Sequence, residues 1–211
     1  MVEGSYKKIE VQNWERNVHY NFFKGSEFGQ YNICCNIDIT HFLGKLKEKG
    51  LSFYYAMIYA STYCINLIPE FHYRMRDDGV IYFDKINPSF TYMPENSELF
   101  KLITVELEED MIEFIHHAKQ TAVAQQGFIE GIKRDDLIYI TSIPWISFTQ
   151  ITHTMSRDKT DTVPRVSWGK YFKDGERILM PFSVQVHHSF VDGIHVGKYV
   201  ECLQKYMDEY K

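Results

Sequence analysis

An α/β fold, a single domain over residues 1–211 built as a two-layer sandwich of a mixed β-sheet with packed helices, is what the sequence predicts. Three observations predict it. Strand-type runs and helix-type periodicities mix from one end of the chain to the other. No repeat, low-complexity linker or shift in composition marks a domain boundary. With 211 residues, 45% of them hydrophobic, the chain is long enough to bury a substantial core.

Each element has a local reason. "WERNVHYNFFKG" (14–25) reads as a short helix, and "QYNICCNIDIT" as a strand rich in β-branched and aromatic residues. Thr40 is expected to cap the helix "HFLGKLKEKG", which Gly50 closes. Ser52 is expected to cap a more buried helix, "FYYAMIYASTYCINLI", which Pro69 ends. "DDGVIYFD" carries a turn and a strand, and "SFTYM" another strand. The run from Ser97 begins as strand or loop and becomes a helix, with Met111, Phe114, Ile115 and Ala118 on one face. "LIYITS", "RVSWGKYF" and "RILMPFSVQVHH" are strands, and "KDGERI" is the hairpin turn between the last two. The final helix repeats Val196, Tyr199, Val200, Leu203 and Met207 at three and four.

Composition excludes some functions. A net charge of -5 with mixed signs argues against a nucleic-acid or anionic-membrane surface. No apolar run approaches membrane-spanning length, and "MVEGSYKKIE" lacks a signal's apolar core, so a soluble cytoplasmic protein is expected. Cys34, Cys35, Cys64 and Cys202 show no CxxC spacing and read as buried thiols in a reducing compartment. Helical His116 and His117, and the acidic run "VELEEDMIE", read as solvated faces.

The chemistry concentrates in "PFSVQVHHSFVDGIHVGKY". If side chains alternate through its end, His188 continues the apolar row of Met180, Phe182, Val184 and Val186. It would then be partly desolvated, neutral and available as a base, while His187 faces the other side. Asp192 and Gly193 follow in a turn, and a buried Asp calls for a cation, most naturally Arg. The segment alone leaves three readings: packed histidines, a metal site from His187, His188, Asp192 and His195, or a general base for acyl transfer.

The surrounding blocks decide among them. "VQNWERNVHYNFF", "YNICCNIDIT", "PEFHYRMRDDGVIYFDKINPSFTYM", "TSIPWISFT" and "VSWGKYFKDGERILMPFSVQVHH", with the HHxxxDG segment, resemble the chloramphenicol acetyltransferase family in order along nearly the whole chain. The resemblance implies a homotrimer with interfacial active sites, to which one subunit supplies a His, and no metal and no bound cofactor. Acetyl-CoA is implied as co-substrate and a small-molecule alcohol as acceptor. His188 matches the base, and Asp192 and Arg16 match the family's orienting ion pair. Ser167 stands where the family has a Thr whose hydroxyl binds a water near the intermediate. Lys170 and Tyr171 match positions near the CoA adenosine.

Departures from the family pattern are equally specific. Gln150 occupies the position of the family's oxyanion-stabilising Ser, so either the amide substitutes, or Ser147, Thr149 or Thr152 moves in, or transfer is slow. In the acceptor pocket Gly29 takes a Cys position, Tyr31 keeps an aromatic, Phe23 replaces a Tyr, and Thr91 and Phe100 match further lining positions. "HTMSRDKTDTVPR" also diverges, in a stretch from which the family lines its acceptor site. The resemblance therefore implies an O-acetyltransferase. Gln150, Phe23 and Gly29 motivate two alternatives: a catalytically weakened trimer that binds a small molecule, or an acyltransferase for another alcohol or an amine.

Overall fold

The structure is a computed structural model, and it describes residues 4–76, 79–131, 134–154, 158 and 160–211. Its frame is a mixed sheet ordered β2 (Gln30–Asp38), β10 (Arg177–His187), β8 (Arg165–Gly169), β7 (Leu137–Ile143), β5 (Asn87–Tyr92) and β6 (Lys101–Thr104), with β9 (Phe172–Asp174) paired to β10. β10 runs antiparallel to β2 and β8, β8, β7 and β5 run parallel, and β6 turns antiparallel. The mixed α/β architecture is the one the sequence predicts.

Among the described residues five α-helices accompany it: α1 (Asn17–Phe23), α2 (Thr40–Glu48), α3 (Phe53–Asn66), α4 (Met111–Ala124) and α5 (Gly193–Glu209). Helix α3 is apolar around most of its circumference and packs against α4, α5, β5 and β7. Under the helices, Ile33, Val184, Val166, Ile140, Phe90 and Ile103 form one apolar row across six strands. The opposite side of the same strands is polar: Ser183, Ser167 and Thr141 align across β10, β8 and β7, and Gln185 and Arg165 align beside them.

Several local expectations are corrected. A second sheet, β1 (Tyr6–Ile9), β4 (Gly79–Phe83) and β3 (Tyr73–Arg76), stands beside the main one, and β1 and β3 are too short and too rich in Lys and Arg to announce themselves. Buried Arg74 ties it to β7, donating to the carbonyls of Phe71, Tyr73, Asp135 and Leu137 at 2.6 to 2.8 Å. Burial lowers its pKa to about 10. Thr40 is the first residue of α2, not its cap. Its hydroxyl donates to Asp38 and accepts from the Ile178 amide, because the neighbouring carboxylate is the stronger acceptor. Ser52 occupies the N-cap of α3 without a side-chain hydrogen bond.

"RVSWGKYF" is not one strand. The Lys170 amide leaves the ladder to meet Ile146 O at 2.8 Å, and only glycine fits at 169, where a Cβ would lie 2.7 Å from that oxygen. Of the four cysteines, all free, only Cys64 is fully buried; the other three are half-buried. The turn expected at 77–78 lies outside the described residues, as do residues 155–157 and 159 of the divergent segment. Among the described residues no helix is long and apolar enough to cross a membrane.

Candidate active site

Strand β10 ends at His187, and α5 begins at Gly193 with Asp192 as its N-cap. One guanidinium organises the turn between them. Arg16, just ahead of α1, donates to both oxygens of Asp192 at 2.6 Å, to Ser189 O at 2.7 Å and to His188 O at 3.0 Å. Those hydrogen bonds hold the Asp192 carboxyl below the usual carboxylate range. Asp192 also forms a capping box with His195, whose Nδ1 accepts from the Asp192 amide at 2.9 Å.

His188 projects from this turn between two rings. Phe23 stacks on it with centroids 4.0 Å apart and planes 4° from parallel, and Tyr31 lies 4.7 Å away, tilted by 40°. Its buried Nδ1 comes within 3.1 Å of Asp192 Oδ1, without the alignment a hydrogen bond requires. The imidazole keeps 37% of its surface exposed. The strand alternation that would place His188 in an apolar row stops one residue earlier. His187 is the desolvated member of the pair: it is 6% exposed, and burial pushes its pKa down to about 4. Gly29 makes that possible, since a Cβ there would sit 2.2 Å from His187 Nε2. Gly29 O in turn accepts from the His188 amide at 2.9 Å. Arg16, Phe23, Gly29, Tyr31, His188 and Asp192 thus form one cluster.

The other predicted residues gather elsewhere. Ser167 is buried on the polar face of β8, its Oγ 2.7 Å from Nε2 of His153. Burial, and then the Arg165 guanidinium, lower the His153 pKa. His153 lines a cavity of about 760 Å³ together with Thr91, Phe100, Tyr54, Tyr139 and Arg165. Tyr54, Ser142 and Pro144 separate this cavity from a hollow of about 500 Å³ that Lys170 and Tyr171 line. Gln150 is exposed and makes no hydrogen bond among the described residues, and Ser147, Thr149 and Thr152 are exposed as well. Ser183 pairs with Ser167, and His188 follows Ser183 by five residues, so the two groups lie roughly 16 Å apart along the strand. A third groove, of about 630 Å³ between β2 and α5, contains none of the predicted residues.

Tyr54 was not singled out from the sequence, and His153 and Arg165 entered only as the two ends of the divergent stretch 153–165, with no role of their own. A lone His in "ITHT" belongs to no periodic element, and only the folding of its segment onto the sheet brings it to Ser167. Among the described residues, no group of three or more His, Cys, Asp or Glu is placed to hold a metal ion.

Comparison with known proteins gives this arrangement a family. A chloramphenicol acetyltransferase of Escherichia coli is 30% identical over 98% of this chain and 95% of its own length. One from Clostridium perfringens is 29% identical over 98% and 96%. A solved chloramphenicol acetyltransferase superimposes with a TM-score of 0.88 at 25% identity, covering 96% of this chain and all of its own. A family model described as chloramphenicol acetyltransferase matches residues 4–204, and the chain belongs to that family.

Proposed function

We propose that the protein moves an acetyl group from acetyl-CoA directly to the hydroxyl of a small-molecule alcohol, with His188 as general base. Family membership makes it an acetyl-CoA-dependent acetyltransferase similar to chloramphenicol acetyltransferase. In the proposed reaction His188 Nε2 takes the acceptor's hydroxyl proton as its oxygen attacks the thioester carbonyl. The tetrahedral intermediate collapses, the C–S bond breaks, and the imidazolium returns its proton to the leaving thiolate, giving the acetyl ester and CoA. The observation that carries this reading is the grip of Arg16 and Asp192 on the turn that presents His188.

The separation of the two residue groups supports a site completed between protomers of a homotrimer. In the isolated chain Phe22 and Phe28, near the His188 cluster in sequence, are 76% and 70% exposed, and Trp145 and Phe128, which line the large cavity, are 65% and 56% exposed. Such apolar surface at both places fits a shared interface. One protomer would then supply His188, Asp192, Arg16, Phe23, Gly29 and Tyr31. Its neighbour would supply Ser167, Thr91, Phe100 and the exposed Gln150 amide as oxyanion donor, with Lys170 and Tyr171 on the CoA side. The whole chain, 1–211, acts as one acyltransferase domain, and its four free cysteines suit the cytoplasm.

The test is thiol release from acetyl-CoA with chloramphenicol and a panel of other alcohols and amines. Wild type should release CoA only with an acceptor present, and His188→Ala should lose about 1000-fold. Equal release by the two proteins would overturn the base assignment. Gln150, without a hydrogen bond among the described residues, favours one second reading, a trimer that binds its small molecule without turnover. Calorimetric binding in the absence of acetyl transfer would select it.

A further inference from the structure

The buried serine of β8 has a partner that the established chemistry of acetyl transfer does not require. Ser167 is fully buried, and His153 Nε2, at 2.7 Å, is its hydroxyl's hydrogen-bond partner among the described residues. Serine lacks the second Cβ substituent that stiffens χ1 in β-branched residues, and its hydroxyl hydrogen rotates to suit its surroundings. Left alone, Ser167 would have no fixed direction. The imidazole supplies one, and it is itself held. The His153 amide donates to Gln185 Oε1 at 3.0 Å, and Asn32 Nδ2 donates to Ile151 O at 2.6 Å, which fastens the segment to the polar face at two points. Gln185 is fixed in turn by Gln30, which Arg165 also reaches.

We propose that His153 is a positioning residue for the transfer reaction: its Nε2–H donates to Ser167 Oγ and leaves the serine hydrogen as the one to be donated onward. This rests on the reading of Ser167 as a contributor to the neighbouring protomer's site. A hydroxyl that accepts one hydrogen bond becomes the better donor of its own hydrogen, so the imidazole both aims and strengthens the contact made to developing negative charge. A neutral imidazole bears one N–H, so the arrangement requires the Nε2–H tautomer.

Steady-state CoA release by the intact protein tests this. His153→Leu should lower kcat about 10-fold while KM for acetyl-CoA stays unchanged. His153→Gln, whose amide N–H can reach the same hydroxyl, should recover most of that loss. In a Ser167→Ala background, His153→Leu should lower kcat no further, because the imidazole acts only through the serine. Thermal denaturation of each variant accompanies the kinetics, and a kcat that tracks Tm across Leu and Gln alike would overturn the proposal. Independent, multiplying effects of the two substitutions would overturn it as well. The failures are distinguishable. A fully active His188→Ala removes the base reading and this inference together, whereas an inactive His188→Ala with multiplying His153 and Ser167 effects removes the inference alone.

Discussion

The turn that carries His188 and the strand that carries Ser167 are held by different physics. At the end of β10, ion pairing and ring stacking fix a half-exposed imidazole: Arg16 grips the backbone and Asp192, while Phe23 and Tyr31 sandwich the ring. At β8, a neutral hydrogen-bond ladder fixes a fully buried hydroxyl through His153, Gln185 and Gln30. The difference suits the two proposed tasks. A proton carrier needs access to its substrate and tolerates surface, whereas a hydroxyl meant to meet developing charge gains from a site that water has left. The proposed site between two copies rests on the roughly 16 Å that separates the two groups along one chain.

The largest effect that sharpens this contrast comes from separating the groups genetically. His188→Ala and Thr91→Trp, the second filling the cavity, should each depress CoA release at least about 100-fold as pure trimers. Trimers assembled from an equal mixture should regain roughly a quarter of the wild-type rate, because one interface in four pairs an intact turn with an intact cavity. No recovery on mixing would break the two-copy account.

Next comes the contrast between adjacent histidines. His187 titrates near 4 when folded and near 6.5 when unfolded. Between those values the unfolded chain binds a proton that the folded chain refuses, so stability is complete above about pH 6.5 and drains as pH falls toward 4. The loss should be about 3 kcal/mol at this position, read by urea denaturation at pH 7 and pH 4, and His187→Gln should flatten the slope. Gln150→Ala should cost about 100-fold in CoA release while moving stability by less than about 0.5 kcal/mol, since the side chain is exposed. An unaltered rate would remove Gln150 from the oxyanion site. The smallest effect is expected from Gly29→Ala, destabilising by about 1–3 kcal/mol through collision with His187 and lowering Tm by several degrees.

Periodicity made most of the architecture legible. The apolar rows of β10 and α5 and the turn chemistry around them are local properties of the chain. What periodicity could not supply was pairing at a distance. Arg16 and Asp192 lie 176 residues apart, and only resemblance joined them before the geometry did. Alternation also misassigned the desolvated histidine, because the strand was extended one residue past its end. His153 stayed hidden for a third reason. Its segment has no regular structure of its own, and its meaning comes from the sheet beneath it.

Strand β10 is greasy along one flank and, through the buried Ser183, Gln185 and His187, polar along the other. The greasy flank answers to the helices, and the polar flank to the irregular segment folded over it, which Gln185 holds at the His153 amide. One strand thus braces two layers, and alternate letters of its sequence can be edited for one layer with the other left in place.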